Sequence, residues 1–302
     1  MNVTENKKEN NQKAYDMITQ SASNGADIVV LPEMFNCPYD KNVFSYYAEE
    51  DTLLKGNVIN ESSSLLMLQK AAMANGVYVI GGTVPERDCD RLYNTCFCFD
   101  RKGLTIGKYR KINLFDVDIS EKITFKESDT LYAGDEIVVI DTEFCKIGIA
   151  ICFDIRFPDI FKEMRSSGAD FFIIPGSFNM ITGPAHWELL LRARAVDNQV
   201  FVASCSSARN ENSSYVSYAN SLVINPWGDI IASAGYDEKI IYITIDLQGA
   251  YKLREQIPLV RNTRFVSSTN CCNNKLFVDI NSTTDRVNNF KHKHIPSKVY
   301  SG

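Results

Sequence analysis

The sequence predicts a mixed α/β fold, and two observations carry that reading. Short apolar, β-branched runs alternate with stretches of helical periodicity, the pattern of layered α/β proteins. Several runs also come in close pairs that read as hairpins, so a purely parallel, doubly wound sheet fits poorly. Size agrees with this. A chain of 302 residues, 45% hydrophobic and 23% charged, can bury a large core as one large domain or two small ones.

The elements follow in order. The polar segment MNVTENKKENNQKAYD leads into a first helix, and ADIVVLPE then reads as a strand that ends at Glu33. ESSSLLMLQKAAMANG is helical, with Gly76 as its stop, and VYVIGGTVPE is the next strand. LYNTCFCFD and GLTIGKYRK form a hairpin turning at 100–103. EIVVIDT and CKIGIAICFD form a second pair. RFPDIFKEMRSSG is a short helix, with Pro158 near its start and Gly168 past its end. ADFFIIPGSF is apolar throughout, as expected of a strand covered on both faces. PAHWELLLRARAVDNQ is helical, and VFVASCSS, ANSLVINPWG and KIIYITIDL read as strands. No linker interrupts the chain before residue 250, whereas SSTNCCNN and KHKHIPSK are polar and irregular. A domain over 1–260 and a loosely attached tail over 261–302 are therefore expected.

Composition excludes several classes. A net charge of -5 argues against nucleic acid as a partner, since phosphate binding needs a basic surface. No apolar run approaches the roughly 20 residues of a membrane span. The polar N-terminus lacks the apolar core of a signal peptide and makes a poor transit peptide. Nine cysteines, several inside apolar runs, are then expected to be free thiols in a reducing, cytoplasmic compartment, with a mitochondrial pool left open. Cys96 and Cys98 lie two apart on one strand and so share a face, which suits core packing better than metal ligation. The chain has no G-x-S-x-G elbow, H-E-x-x-H motif, glycine-rich phosphate loop or C-x-x-C pair.

Three segments carry candidate chemistry, each with a plainer reading beside it. Cys152, in GIAICFDIRFP, ends an apolar run just before a helix. Backbone N–H groups there favour a thiolate and can hold an oxyanion, but a buried structural cysteine fits the same residues. His292 and His294 lie in the tail, and His186 precedes a helix without an obvious partner. The base for a nucleophilic Cys152 must then be something else. Glu33 ends a buried strand, where a dry pocket raises a carboxyl towards neutrality; a solvated glutamate after a strand is the alternative. Lys108, Arg110 and Lys111 alternate along TIGKYRKI and, alone, read as a solvated basic edge.

Together, LPE, YRKINLFD and ICFDIRFP resemble the Glu–Lys–Cys motifs of the nitrilase, or carbon–nitrogen hydrolase, superfamily. The likeness extends through TFKES, GPAHWELLLRARAVDNQ and VINPWGDII and covers roughly residues 12 to 260. KINLFDVDISEKITFKES, LYNTC and NMITGPAHWELL are most similar to the omega-amidase branch, which hydrolyses the side-chain amide of 2-oxoglutaramate and 2-oxosuccinamate. The resemblance implies a four-layer α-β-β-α sandwich, homodimers formed through the outer helices, and no cofactor. It assigns Glu33 as general base, Lys111 as oxyanion partner, Cys152 as nucleophile and Glu127 as a second carboxylate that positions them. For such a substrate Arg156 is a candidate clamp for the distal carboxylate, with an arginine at the dimer surface or a helix start as the alternative, and Phe153, Phe178 and Trp187 are pocket walls or core. Family members usually open with an apolar strand that this sequence lacks. An unpaired, less stable sheet edge is expected in its place. An amidase for another small amide, such as deaminated glutathione, a nitrilase, and a non-catalytic scaffold are the alternative functions.

Overall fold

The computed structural model describes residues 1–51 and 63–259. Met1–Pro258 form one compact unit, and the expected tail after 260 lies outside the described residues.

Helix α1 (Lys7–Ser23) starts where the Asn6 side chain accepts the Lys8 and Glu9 N–H groups. Helix α3 (Ser64–Asn75) is capped by Ser63 and stops at Gly76, which takes a left-handed φ of 63°. The short α2 (Phe44–Tyr47) lies between them. The first sheet contains β1 (Ile28–Val30), β2 (Glu49–Glu50), β3 (Tyr78–Ile80), β4 (Val84–Asp88), β5 (Arg91–Phe99) and β6 (Thr105–Arg110). Strands β3 and β4 share one edge of β5, and β6 pairs along the other. The 100–103 turn thus joins an antiparallel hairpin, as its sequence indicates.

The second sheet runs β14-β13-β12-β11-β10-β9. Its strands are β9 (Val138–Asp141), β10 (Lys146–Ile149), β11 (Phe171–Pro175), β12 (Phe201–Cys205), β13 (Leu222–Ile224) and β14 (Ile230–Ser233). The parallel trio β10–β11–β12 is connected by α4 (Pro158–Ser166) and α5 (Gly183–Asn198). Strands β7 (Asp116–Ile119) and β8 (Ile123–Lys126) form a separate hairpin, and α6 (Leu247–Gln256) ends the unit.

Side-chain alternation builds the layers. On β5, Cys96 and Cys98 join Ile147, Ile149 and Ile173 in the core between the sheets. Phe97 and Phe99 point the other way, against Ile18, Leu65 and Leu68 of α1 and α3. Phe161, Met164, Trp187 and Leu191 of α4 and α5 cover the far face of the second sheet. The result is a four-layer α-β-β-α sandwich. Among the described residues no helix is long and apolar enough to cross a membrane.

Two elements differ from expectation or refine it. KIIYITIDL forms no strand over 239–246, and α6 begins at Leu247. Its alternation marks a face, but a strand also needs a neighbour to complete its ladder. Among the described residues β1 pairs with β3 alone, and residues 1–6 form no strand. On its outer side the Val30 carbonyl accepts the Cys205 thiol at 3.4 Å.

Candidate active site

Strand ends bring the candidate residues together. Glu33 lies three residues beyond β1, Lys111 directly follows β6, and Glu127 directly follows β8. The Glu33 loop is fixed by Met34 N–H to Thr83 Oγ1 at 2.8 Å and Thr83 N–H to the Pro32 carbonyl at 3.2 Å. Gly82, with φ +58°, permits this approach, because a Cβ there would lie 2.1 Å from the Pro32 oxygen.

Cys152 corrects one sequence expectation. Strand β10 ends at Ile149, and Cys152 opens a 3-10 turn (Cys152–Arg156) with a left-handed φ of 46°. Such a conformation costs a non-glycine residue roughly 1–3 kcal/mol and persists only where neighbours enforce it. Asp154 enforces it. Its Oδ2 accepts the Ile151 N–H at 2.9 Å and the Tyr109 hydroxyl at 2.7 Å. Its Oδ1 accepts the Asn113 N–H at 2.8 Å and the Asn113 side-chain amide at 3.0 Å. Burial pushes the Asp154 carboxyl up, opposed by these same hydrogen bonds.

Lys111 is fully buried between two buried carboxylates. Its Nζ lies 3.0 Å from Glu33 Oε1 and 2.9 Å from Glu127 Oε2. Asn94 Nδ2 also donates to Glu33 Oε1, at 2.8 Å. Glu127 is held further by the Tyr39 hydroxyl at 2.7 Å and the Phe115 N–H at 2.6 Å. Glu33 Oε2 is buried and accepts no well-formed hydrogen bond, and the Cys152 thiol interacts with this carboxyl. One oxygen of Glu33 is thus saturated by donors, while the other is open to a proton.

The charges order the protonation states. Burial raises the Glu33 carboxyl; Lys111 opposes this and Glu127 reinforces it. Burial alone would lower the Lys111 ammonium, but Glu127 and Glu33 overcome it and hold lysine above its usual range. Burial and then Glu33 push the Cys152 thiol far up, against Lys111 and the Ser177 N–H, which lies 3.4 Å from Sγ. The resting cysteine is therefore a thiol beside the Glu33 carboxyl. The helix N-terminus expected beside Cys152 lies further on, since α4 begins at Pro158, and the N–H on the sulfur comes from Ser177. A thiol in contact with a poised carboxylate suits general-base activation of a nucleophile.

Around the thiol, Phe153 packs on Phe115 and Phe157, with ring centroids 5.3 and 5.7 Å apart. Phe178 is buried on Trp187 at 4.8 Å. Trp187 is fully buried, and its indole N–H donates to the Asn220 carbonyl at 2.8 Å, so it belongs to the core. The Arg156 guanidinium lies 5.4 Å from the Phe153 ring and 5.1 Å from the Phe178 ring. A cavity of about 30 Å³ lies beside Glu33, with Tyr39, Ser177 and Tyr215 in its wall. Lys108 and Arg110 pair with Glu86, so the basic edge splits into a paired outer face and the buried Lys111. Among the described residues no group of three His, Cys, Asp or Glu side chains is arranged to hold a metal ion.

Sequence reasoning missed Tyr39, Asn94, Asp154, Ser177 and Tyr215. Asn94, a polar residue inside the apolar run LYNTCFCF, and Asp154, an acid two residues after Cys152, carry the clearest signals.

Most of the chain is similar to known proteins. The family model for carbon-nitrogen hydrolases matches residues 1–255. Omega-amidase NIT2-A of Xenopus laevis is 47% identical over 258 residues, covering 85% of this chain and 90% of that protein. Omega-amidase NIT2 of Homo sapiens is 44% identical over 264 residues, covering 87% and 92%. The crystal structure of Saccharomyces cerevisiae Nit3, a member of branch 10 of the nitrilase superfamily, superposes with a TM-score of 0.79 at 39% identity, over 87% of this chain and 93% of that one. With its sandwich fold and this match along nearly the whole compact unit, the chain belongs to the carbon–nitrogen hydrolase family.

Proposed function

We propose that the protein is an omega-amidase. It hydrolyses the terminal amide of 2-oxoglutaramate or 2-oxosuccinamate to the 2-oxo dicarboxylate and ammonia. The observation that carries this reading is the buried Glu33–Lys111–Cys152 arrangement in a chain 44–47% identical to omega-amidases.

Each step uses a group already in place. Glu33 takes the thiol proton as Cys152 Sγ bonds to the amide carbon. The Lys111 ammonium, with the backbone N–H after Cys152, stabilises the tetrahedral oxyanion. Protonated Glu33 returns the proton to the departing nitrogen, so the C–N bond breaks and ammonia leaves. The thioester on Cys152 is then attacked by water, with Glu33 again as base, releasing the acid and the thiol. Glu127 keeps Lys111 cationic and in place, and Arg156 clamps the distal carboxylate through a charge-assisted hydrogen bond. Phe153 and Phe178 wall that subsite.

Ammonia release from 2-oxoglutaramate, glutamine and deaminated glutathione tests the reading, with Cys152→Ala as control. The expected result is preferred turnover of 2-oxoglutaramate, lost in Cys152→Ala. Preference for deaminated glutathione would move the substrate assignment, and turnover surviving Cys152→Ala would overturn the mechanism. A well-folded sample that hydrolyses none of the three would point to a scaffold.

We further propose a homodimer. Leu189 and Val196 of α5 are 64% and 45% exposed, beside Trp227 at 64% in the β13–β14 turn. Arg192 Nε joins the two elements by donating to the Gly228 carbonyl at 2.8 Å. Exposed apolar side chains gathered on one outer face mark an association surface. Trp227→Glu is expected to give monomers in analytical ultracentrifugation where the parent chain sediments as a dimer; an unchanged mass would remove this face from the interface. The free thiols of Cys37, Cys96 and Cys145 among others support a reducing, cytoplasmic setting.

A further inference from the structure

We propose that His186 is a positioning residue that sets substrate choice through Arg156. A neutral imidazole aims the guanidinium at the substrate's distal carboxylate without cancelling its charge. This inference rests on the reading of Arg156 as a carboxylate clamp.

Arg156 Nη1 lies 3.2 Å from His186 Nδ1. Arginine can only donate, so Nδ1 presents its lone pair, and the imidazole is neutral with its proton on Nε2. The guanidinium is half-buried against Phe153 and Phe178, and its buried Nε has no hydrogen-bond partner among the described residues. Among the described residues no carboxylate pairs with it. Several other arginines do have one: Arg110 binds Glu86 and Asp88, Arg194 binds Asp197, and Arg254 binds Asp170, whereas Arg87 and Arg209 bond to neutral oxygens away from the thiol.

That difference is what an anion subsite requires. A carboxylate at position 186 would orient Arg156 equally well. It would also occupy the guanidinium fork and compete with the incoming substrate anion. Imidazole engages one of the five N–H donors and leaves the rest for the ligand. The imidazole is itself well placed. It lies on the first turn of α5, one residue before Trp187, whose buried indole is tied to the Asn220 carbonyl.

The test compares 2-oxoglutaramate with a neutral short-chain amide lacking the distal carboxylate. Competitive inhibition by 2-oxoglutarate gives a parallel Ki. Arg156→Met should raise KM for 2-oxoglutaramate by about 10- to 100-fold, the usual range for losing a hydrogen bond to a charged group. His186→Leu should raise it about 3- to 10-fold with kcat within twofold, a partial loss of the same bond. His186→Gln, which keeps an acceptor, should restore KM, and His186→Asp should match Arg156→Met. Turnover of the neutral amide should stay constant in the three His186 variants.

An unchanged KM and Ki in Arg156→Met would overturn the clamp, and the role of His186 with it. A raised value there, with His186→Leu and His186→Asp unchanged, would overturn the positioning role alone. A parallel fall on the neutral amide would assign His186 to the scaffold of the fold and overturn it as well.

Discussion

Replacing Glu33 by Gln is expected to lower kcat for amide hydrolysis by about 10²- to 10⁴-fold, the usual worth of a positioned general base. The melting temperature should be unchanged or higher. Gln is isosteric, and its oxygen can keep the Lys111 and Asn94 hydrogen bonds that now end on Glu33 Oε1. It cannot take the Cys152 proton. The stability expectation follows from linkage. Burial raises the folded-state pKa of Glu33 above its ordinary value of 4.5. Over the window between these two values the folded chain binds a proton that the unfolded chain has lost, so stability falls as pH rises through it. Wherever Glu33 ionises in its buried position, the charge is a strain that Gln lacks. The same shift sets the pH profile, because the base works only when ionised. The kcat/KM of the parent enzyme should fall on the acid side with a midpoint above 4.5. No loss should appear on the alkaline side near neutrality, since Lys111 and Cys152 are both shifted upward. Steady-state rates and thermal melts across pH check both statements. A Gln variant retaining kcat within tenfold would remove Glu33 from the role of base.

Lys111→Met is expected to damage both folding and catalysis. The ammonium is fully buried and is the counter-charge to Glu33 and Glu127. Removing one partner of a buried ion pair leaves an uncompensated charge and costs about 3–5 kcal/mol. At roughly 2–4 °C per kcal/mol for chains near this size, the melting temperature should fall by about 6–20 °C. Loss of the oxyanion partner should lower kcat by a further factor of about 10²–10³. The two effects separate in the double variant Lys111→Met, Glu127→Gln. Neutralising Glu127 should recover part of the melting temperature and none of the activity. If the double variant regained both, Lys111 would be a structural counter-ion only.

The layers were legible in the sequence because alternation and helical periodicity report which face a side chain takes. LYNTCFCF sends Cys96 and Cys98 inward and Phe97 and Phe99 outward, and its polar Asn94 reaches the site. KIIYITIDL misled for the same reason, since a pattern of faces does not supply a ladder partner. Local evidence left Cys152 evenly placed between filler and nucleophile. The distant Glu33 and Lys111 motifs tilted the reading towards a nucleophile, through a family resemblance rather than through local chemistry. The groups that steady these residues stayed hidden because their partners are remote in the chain. Asn94 reaches Glu33 across 61 residues, Tyr39 reaches Glu127 across 88, and Ser177 reaches Cys152 across 25. Sequence spacing also does not report burial beside Glu33, which pushes the Cys152 thiol up.

The position of Asp154 has a mechanical consequence. The two sheets meet through apolar side chains, and such a seam has no ladder of hydrogen bonds to stop it from sliding. Asp154 follows the second sheet, yet its carboxylate is held by Tyr109 of β6 and by Asn113, two residues beyond Lys111. It acts as a rivet through the seam. A displacement of one layer against the other would therefore carry Cys152 and Lys111 together.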